Sequence, residues 1–270
     1  MEDTSPLLDD DGKKLCQQII GVLAYYARII DGTMLGAVNR LASKQAKATK
    51  STLEACYHLL QYAATYPTCS LVYHPSDMVL WMDSDASYNS ESGARSRGSY
   101  CAWLGSADNP GTNGFIEVNS TIIPTIVCAA SEAEYAALYQ AGKGGVLLRR
   151  TLADLNHPQP PTVIYTDNST AKGIVSDTCK MRRSNSINMR YHWTKEQLKN
   201  GELKVLWHPG TEALADLTTK VQPPAAVLKL RGRYVTDSGP TFPAEAAAVT
   251  NVNIVNHIPF TSFGTGVVVY

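Results

Sequence analysis

Cysteine is sparse in this chain, and no two cysteines form a Cys-x-x-Cys pair. The six (Cys16, Cys56, Cys69, Cys101, Cys128 and Cys179) are scattered over 270 residues. That spacing argues against a structural zinc site and a disulfide framework, and for reduced thiols in an intracellular protein. No apolar run reaches the roughly 18 residues that a membrane span needs. The most apolar stretch, 19–30, carries Tyr25, Tyr26 and Arg28 and reads as a buried helix. The N-terminus, Met1-Glu2-Asp3-Thr4, lacks the basic-then-apolar layout of a signal peptide. Net charge is missing too. Lys and Arg number 24 against 24 Asp and Glu, so nucleic-acid binding would have to come from local patches. What remains is a composition with 44% hydrophobic and 18% charged residues, ordinary for one large or two small globular domains.

The hydrophobic pattern changes period along the chain. Residues 13–30 carry Leu15, Ile19, Val22 and Leu23 at close to helical spacing, and Asp31-Gly32 is a plausible stop. Residues 34–46 read as a second helix. Ser51-x-x-Glu54 has the form of a capping box opening a third, which Tyr66-Pro67 ends. Strands are then expected at 78–82, 99–105 and 115–123, with the turn sequence Asp108-Asn109-Pro110-Gly111 between the last two. A long helix at 131–155 follows, then a strand at 163–166, helices from about 169 and at 188–199, a strand at 202–207 and a short helix at 212–220. Three consecutive strands suggest an antiparallel meander, and strands alternating with helices suggest parallel additions to it. The expectation is an α/β domain with a mixed five-stranded sheet and helices on both faces, preceded by a small helical segment. After Gln222-Pro223-Pro224 the pattern lapses, so 222–270 reads as a loosely packed extension.

Four carboxylates stand out by position. Asp85 follows the first strand, Glu134 lies in the first turns of the long helix, Asp167 follows the fourth strand and Asp216 lies on the last helix. Open sheets put ligand sites at the carboxyl ends of strands, and clustered hard oxygen donors suit magnesium. An Asp at a strand end is also an ordinary turn or cap residue, and spacing alone does not show that the four converge. Asp83 shares a face with Asp85 if the strand continues, and otherwise reads as a surface residue. Glu132 and Glu134 stand about 200° apart on a helix, so only one can point into a given site. Glu132 suits the helix start, where a negative charge complements the dipole.

The motifs resemble those of the ribonuclease H superfamily, in its copia-type retrotransposon branch. Asp85-Ala86-Ser87 matches the first motif. Ala130–Leu138 nearly reproduces Ser-x-Glu-Ala-Glu-Tyr-x-Ala-Leu, with Ala130 in place of the Ser. Tyr165–Ala171 matches strand-Tyr-x-Asp-Asn-x-Ser/Thr-Ala, and the segments Arg190-Tyr191-His192 and Leu214–Lys220 complete the set in family order. Together these cover about half of the chain. Upstream, 21–25, 39–43 and 59–62 resemble the helical segment between the copia polymerase and its ribonuclease H. The polymerase motif Tyr-x-Asp-Asp is absent from this sequence, and Asp9-Asp10-Asp11 follows no apolar strand.

The resemblance implies a domain plan: 1–76 a helical connection segment, 77–221 the ribonuclease H-like domain and 222–270 the extension. It implies a metal-dependent endonuclease that cuts the RNA strand of RNA–DNA hybrids. Asp85, Glu134, Asp167 and Asp216 would be the catalytic and metal-holding residues for Mg2+, or Mn2+. His208 would be an additional proton-transfer residue, although a loop His-Pro without a special role fits equally well. Lys172, Arg182, Arg183, Arg190 and Lys195 lie in a basic tract that would track the nucleic-acid backbone, with a solvated helix face as the plainer reading. Expected partners are the hybrid and the reverse transcriptase part of Pol, with no membrane and no small-molecule cofactor, in the cytoplasm with the retroelement particle. The competing readings are an inactive retroelement remnant that at most binds nucleic acid, and an integrase or exonuclease relative on the same fold.

Overall fold

The computed structural model describes residues 3–169, 173, 188–237 and 267–269. Three helices come first: α1 (Asp10–Ile29), α2 (Leu35–Ala42) and α3 (Lys50–Thr65). Asp9 caps α1 through a hydrogen bond from the Gly12 N–H at 2.8 Å, a turn earlier than the apolar spacing suggests. The capping box of α3 is Thr49 with Thr52, not Ser51 with Glu54. Thr49 is extended, and each Thr side chain accepts the other's backbone N–H at 3.2 Å, so the helix starts earlier. Residues 69–73, inside the segment expected to be helical, form β1 (Cys69–Tyr73).

The main sheet contains β2 (Val79–Glu91), β3 (Arg95–Gly105), β4 (Phe115–Ile122), β5 (Thr162–Thr166) and β6 (Leu203–Trp207), in the order β4-β3-β2-β5-β6. β4, β3 and β2 are antiparallel, whereas β5 and β6 add in parallel. This is the mixed five-stranded sheet, antiparallel for three strands, that the order of strands and helices implies. The long helix α4 (Ala130–Asp154) precedes β5, and α5 (Asn188–Lys199) precedes β6. β2 is much longer than the expected 78–82. Its polar residues Asp83, Ser84, Asp85 and Ser87 look unlike a strand, but pairing with β3 from Val79↔Gly105 to Ser87↔Arg97 carries the ladder through them. Tertiary pairing overrides local preference here.

Strand alternation divides the core between the two faces of the sheet. Leu80, Met82, Tyr100, Ala102 and Ile164 pack with Tyr135 and Leu138 of α4. Trp81, Cys101, Trp103 and Val163 pack on the other side with Leu214, Leu217, Leu230 and Tyr234. The last two belong to α7 (Pro224–Tyr234), which follows the short α6 (Asp216–Thr219). Residues 224–237 are therefore no loose extension. Arg231 is 2% exposed and donates to Asp31, Tyr62 and Asp237 at 2.6–2.9 Å, while its guanidinium lies 4.0 Å from the Tyr66 ring centroid. A buried charge is tolerated when it is paired and hydrogen-bonded in this way. β7 (Thr236–Asp237) and β8 (Val267–Val269) flank β1 in a second, small sheet. The sequence pattern missed this packing because Pro, Ala and Gly interrupt the apolar period.

The N-terminal helices bind directly to the sheet and to the segment that carries Asp216. Asn39 donates to the Ser120 carbonyl at 2.7 Å, and Arg40 reaches Glu91 at 3.3 Å and the Thr219 carbonyl. Gly36 of α2 sits so close to residue 218 that an added Cβ would lie 2.6 Å from the Thr218 carbonyl oxygen. Only glycine permits that approach.

Candidate active site

The parallel pairing of β2 with β5 ends at Asp83↔Tyr165, while β2 runs on beside β3. Asp85 therefore stands just past the point where β2 outruns its parallel neighbour, and Asp167 just past the end of β5. Glu134 reaches the same place from the start of α4. One oxygen from each of Asp85, Glu134 and Asp167 lies within 4.8 Å of the others. The local sequence explains each placement. Glu132 is spent on the helix start, accepting the Cys128 N–H at 2.8 Å, which leaves Glu134 to point inward. The Trp207 indole donates to the Asp167 carbonyl at 2.8 Å, and Gly210 lets the loop after β6 close in, since a Cβ there would be 3.0 Å from Asp167 Oδ2.

Asp85 is fully buried and accepts from the Thr219 hydroxyl, and the Lys220 ammonium lies 3.4 Å from its Oδ2. Burial pushes its pKa up, and Lys220 and Thr219 pull it back only in part. Burial also pushes Glu134 up, and the charges of Asp85 and Asp167 add to the rise. Glu134 Oε2 is buried without a hydrogen-bond partner among the described residues. A buried carboxylate oxygen with no donor is costly unless it is protonated or meets a cation. The donor set is all hard oxygen, and an orphaned oxygen points into it. These residues fit a divalent ion such as Mg2+ or Mn2+.

Asp216 stands apart from the group of three. It opens α6, and its carboxylate is held by Lys220 Nζ and Gln222 Nε2. It joins the site through Lys220, which bridges it to Asp85. The sequence motif contains Lys220, but nothing in the pattern gives it a partner. Asp83 is not the surface residue that a strand ending at Met82 would make it. It is 1% exposed, and burial pushes its pKa to about 8. Its signal was the apolar run Leu80-Trp81-Met82 before it, at a spacing of two from Asp85. His208 is buried against the Tyr165 ring, with Nε2 3.3 Å from Asp83 Oδ2, outside the group of three. Burial lowers its pKa.

Of the basic tract, Lys172, Arg182 and Arg183 lie outside the described residues. Arg190 lies over the Tyr139 ring at 5.8 Å and Lys143 over the same ring at 5.2 Å, which adds a cation that the sequence reading passed over. Trp193 packs edge-on against Tyr139, at 5.2 Å between centroids, and contributes to the core. Lys195 is half-buried on the same helix. Among the described residues no helix is long and apolar enough to cross a membrane.

No protein-family model matches the chain. Two curated plant proteins do. The retrovirus-related Pol polyprotein from transposon TNT 1-94 of Nicotiana tabacum is 28% identical over 191 residues, which are 70% of this chain and 14% of the relative. That from transposon RE1 of Arabidopsis thaliana is 26% identical over 213 residues, 75% of this chain and 13% of the relative. The chain is thus similar in sequence to a part of these retrotransposon Pol polyproteins. It spans about a seventh of their length. Among solved structures, a foamy viral protease–reverse transcriptase in complex with an RNA/DNA hybrid is similar at a TM-score of 0.49 and 13% identity, over 82% of this chain and 27% of that one. The N-terminal ribonuclease H domain of a Mycobacterium tuberculosis protein is similar at a TM-score of 0.39 and 13% identity, over 57% and 97%.

Proposed function

We propose that this Pol homologue hydrolyses the RNA strand of RNA–DNA hybrids in a divalent-metal-dependent reaction. The observation that carries the reading is the group Asp85, Glu134 and Asp167, three carboxylates within 4.8 Å with one buried oxygen lacking a donor. Asp85, Glu134 and Asp167 would hold the ion, with Asp216 beside them for a second. Bound there, Mg2+ or Mn2+ would neutralise charge on a phosphodiester and make water a stronger nucleophile at neutral pH. The chain's own task is to fix the carboxylates: Thr219 and Lys220 orient Asp85, and α4 delivers Glu134. Arg190 and Lys195, with Lys172, Arg182 and Arg183 of the same tract, would track backbone phosphates, so affinity should weaken with salt. Hybrid recognition would rest on shape and ribose hydroxyls, with little sequence preference. His208 would act by packing rather than at the reacting atoms.

The chain would act beside the reverse transcriptase part of a copia-type Pol, in the cytoplasm with the retroelement particle, and without a small-molecule cofactor. Residues 1–76 would be the connection segment. The test is a labelled RNA–DNA hybrid incubated with the purified chain in Mg2+, Mn2+ or EDTA, beside single- and double-stranded RNA. Metal-dependent cutting of only the hybrid's RNA strand supports the reading. Intact hybrid after incubation with folded protein in both metals would leave a nucleic-acid-binding remnant instead.

A further inference from the structure

β2 carries two acids on one face, and only one of them belongs to the metal-competent group. The other, Asp83, is among the most deeply buried carboxylates of the described residues, at 1% exposure. Its Oδ2 accepts the Leu214 N–H at 3.2 Å, and its Oδ1 accepts the Ala215 N–H at 3.3 Å. His208 Nε2 lies 3.3 Å from the same Oδ2. The two hydrogen bonds hold the 214–215 end of the segment 208–215, next to α6. His208 Nε2 makes no hydrogen bond among the described residues, and the 208 end leaves β6 with the His208 N–H donating to the Thr166 carbonyl at 3.1 Å.

Leu214 and Ala215 are themselves buried, so their N–H groups need an acceptor inside the protein. The next residue is Asp216, and one turn later Lys220 bridges Asp216 to Asp85. Moving the 214–215 backbone would move both. Gly36 and Arg40 press on the far side of the same arm, at Thr218 and Thr219. The arm is thus clamped between α2 and one buried carboxylate.

We propose that Asp83 is a positioning residue, which sets where Asp216 and Lys220 stand relative to Asp85 by capturing the backbone of 214–215. The catalytic consequence rests on the nuclease reading. The anchoring does not.

The test uses the full chain with Asp83→Asn, which keeps the volume but turns one acceptor into a donor, and with Asp83→Glu, which keeps both acceptors but displaces them by a methylene. Hydrogen exchange in peptides covering 208–220 is followed beside thermal melting. Exchange should rise in 208–220 while the strands β2–β6 keep their protection. On a labelled hybrid, kcat should fall by about 10- to 100-fold, as for groups that orient metal ligands, with KM unchanged. In an Asp216→Asn background Asp83→Asn should add little, because it acts through Asp216. Unchanged exchange in 208–220 overturns the proposal. So does a loss that multiplies with that of Asp216→Asn. If Asp83→Asn fails to fold, Asp83→Glu decides by the same readouts. A wild-type chain that cleaves nothing defeats the nuclease reading, and the exchange result still decides the anchoring.

Discussion

Asp216 and the trio Asp85–Glu134–Asp167 are both acidic, yet they are neutralised differently. Asp216 has Lys220 and the Gln222 amide on its own carboxylate. Within the trio, Asp85 accepts from Thr219 and lies beside that same ammonium, while Glu134 keeps an oxygen without a donor among the described residues. Asp216 already has two donors from the chain, whereas the trio keeps an oxygen that a bound cation or a proton would satisfy. The sharpest way to break this comparison is substitution at each side. Asp85→Asn or Asp167→Asn should abolish hybrid cleavage while binding, measured by fluorescence anisotropy, persists. Asp216→Asn should cost less, about 10- to 100-fold in kcat. Equal losses on both sides would erase the distinction.

Protonation sharpens it further. Burial pushes Asp83 to about 8, and burial with the Asp85 charge pushes Glu134 to about 9. In the unfolded chain such groups titrate near 4. The folded state therefore holds protons that the unfolded state lacks. The penalty is absent below about pH 4, grows as pH rises and is complete above about 9. Melting in EDTA should occur at a higher temperature at pH 5.5 than at pH 8.5, and Mn2+ at pH 8.5 should raise it again. A melting temperature independent of pH would contradict this.

Smaller effects probe the supports. Gly36→Ala would push a methyl group toward the Thr218 carbonyl, with a cost of about 1–3 kcal/mol in denaturant unfolding. That loss would tie the N-terminal helices to the arm bearing Asp216. Arg190→Ala should leave the trio intact and reduce the slope of log affinity against log salt by about 1.

Much of the sheet was legible because β-branched and aromatic runs and the turn at 108–111 mark its strands. The length of β2 was not, because Asp83, Ser84, Asp85 and Ser87 are polar, and beyond Asp83 the strand is held in the ladder by β3 alone. β1 escaped because five residues beside a helix gave no period, and α7 because Pro, Ala and Gly interrupt its apolar period and its anchor, Arg231, is a charged residue paired with the distant Asp31 and Tyr62. At the site, Asp85, Glu134 and Asp167 were identified from motifs. Asp83 and Lys220 were not, since their roles depend on a contact between β2 and an arm more than a hundred residues away.

The central claim is that the trio is completed by a divalent ion, and calorimetric titration with Mn2+ at pH 8 tests it most directly. In two buffers of different ionisation enthalpy, the wild-type chain should bind the ion and release protons, since Glu134 must ionise to ligate. Asp85→Asn should lose that binding. An identical isotherm for both proteins, or no binding by the wild type, would contradict the account.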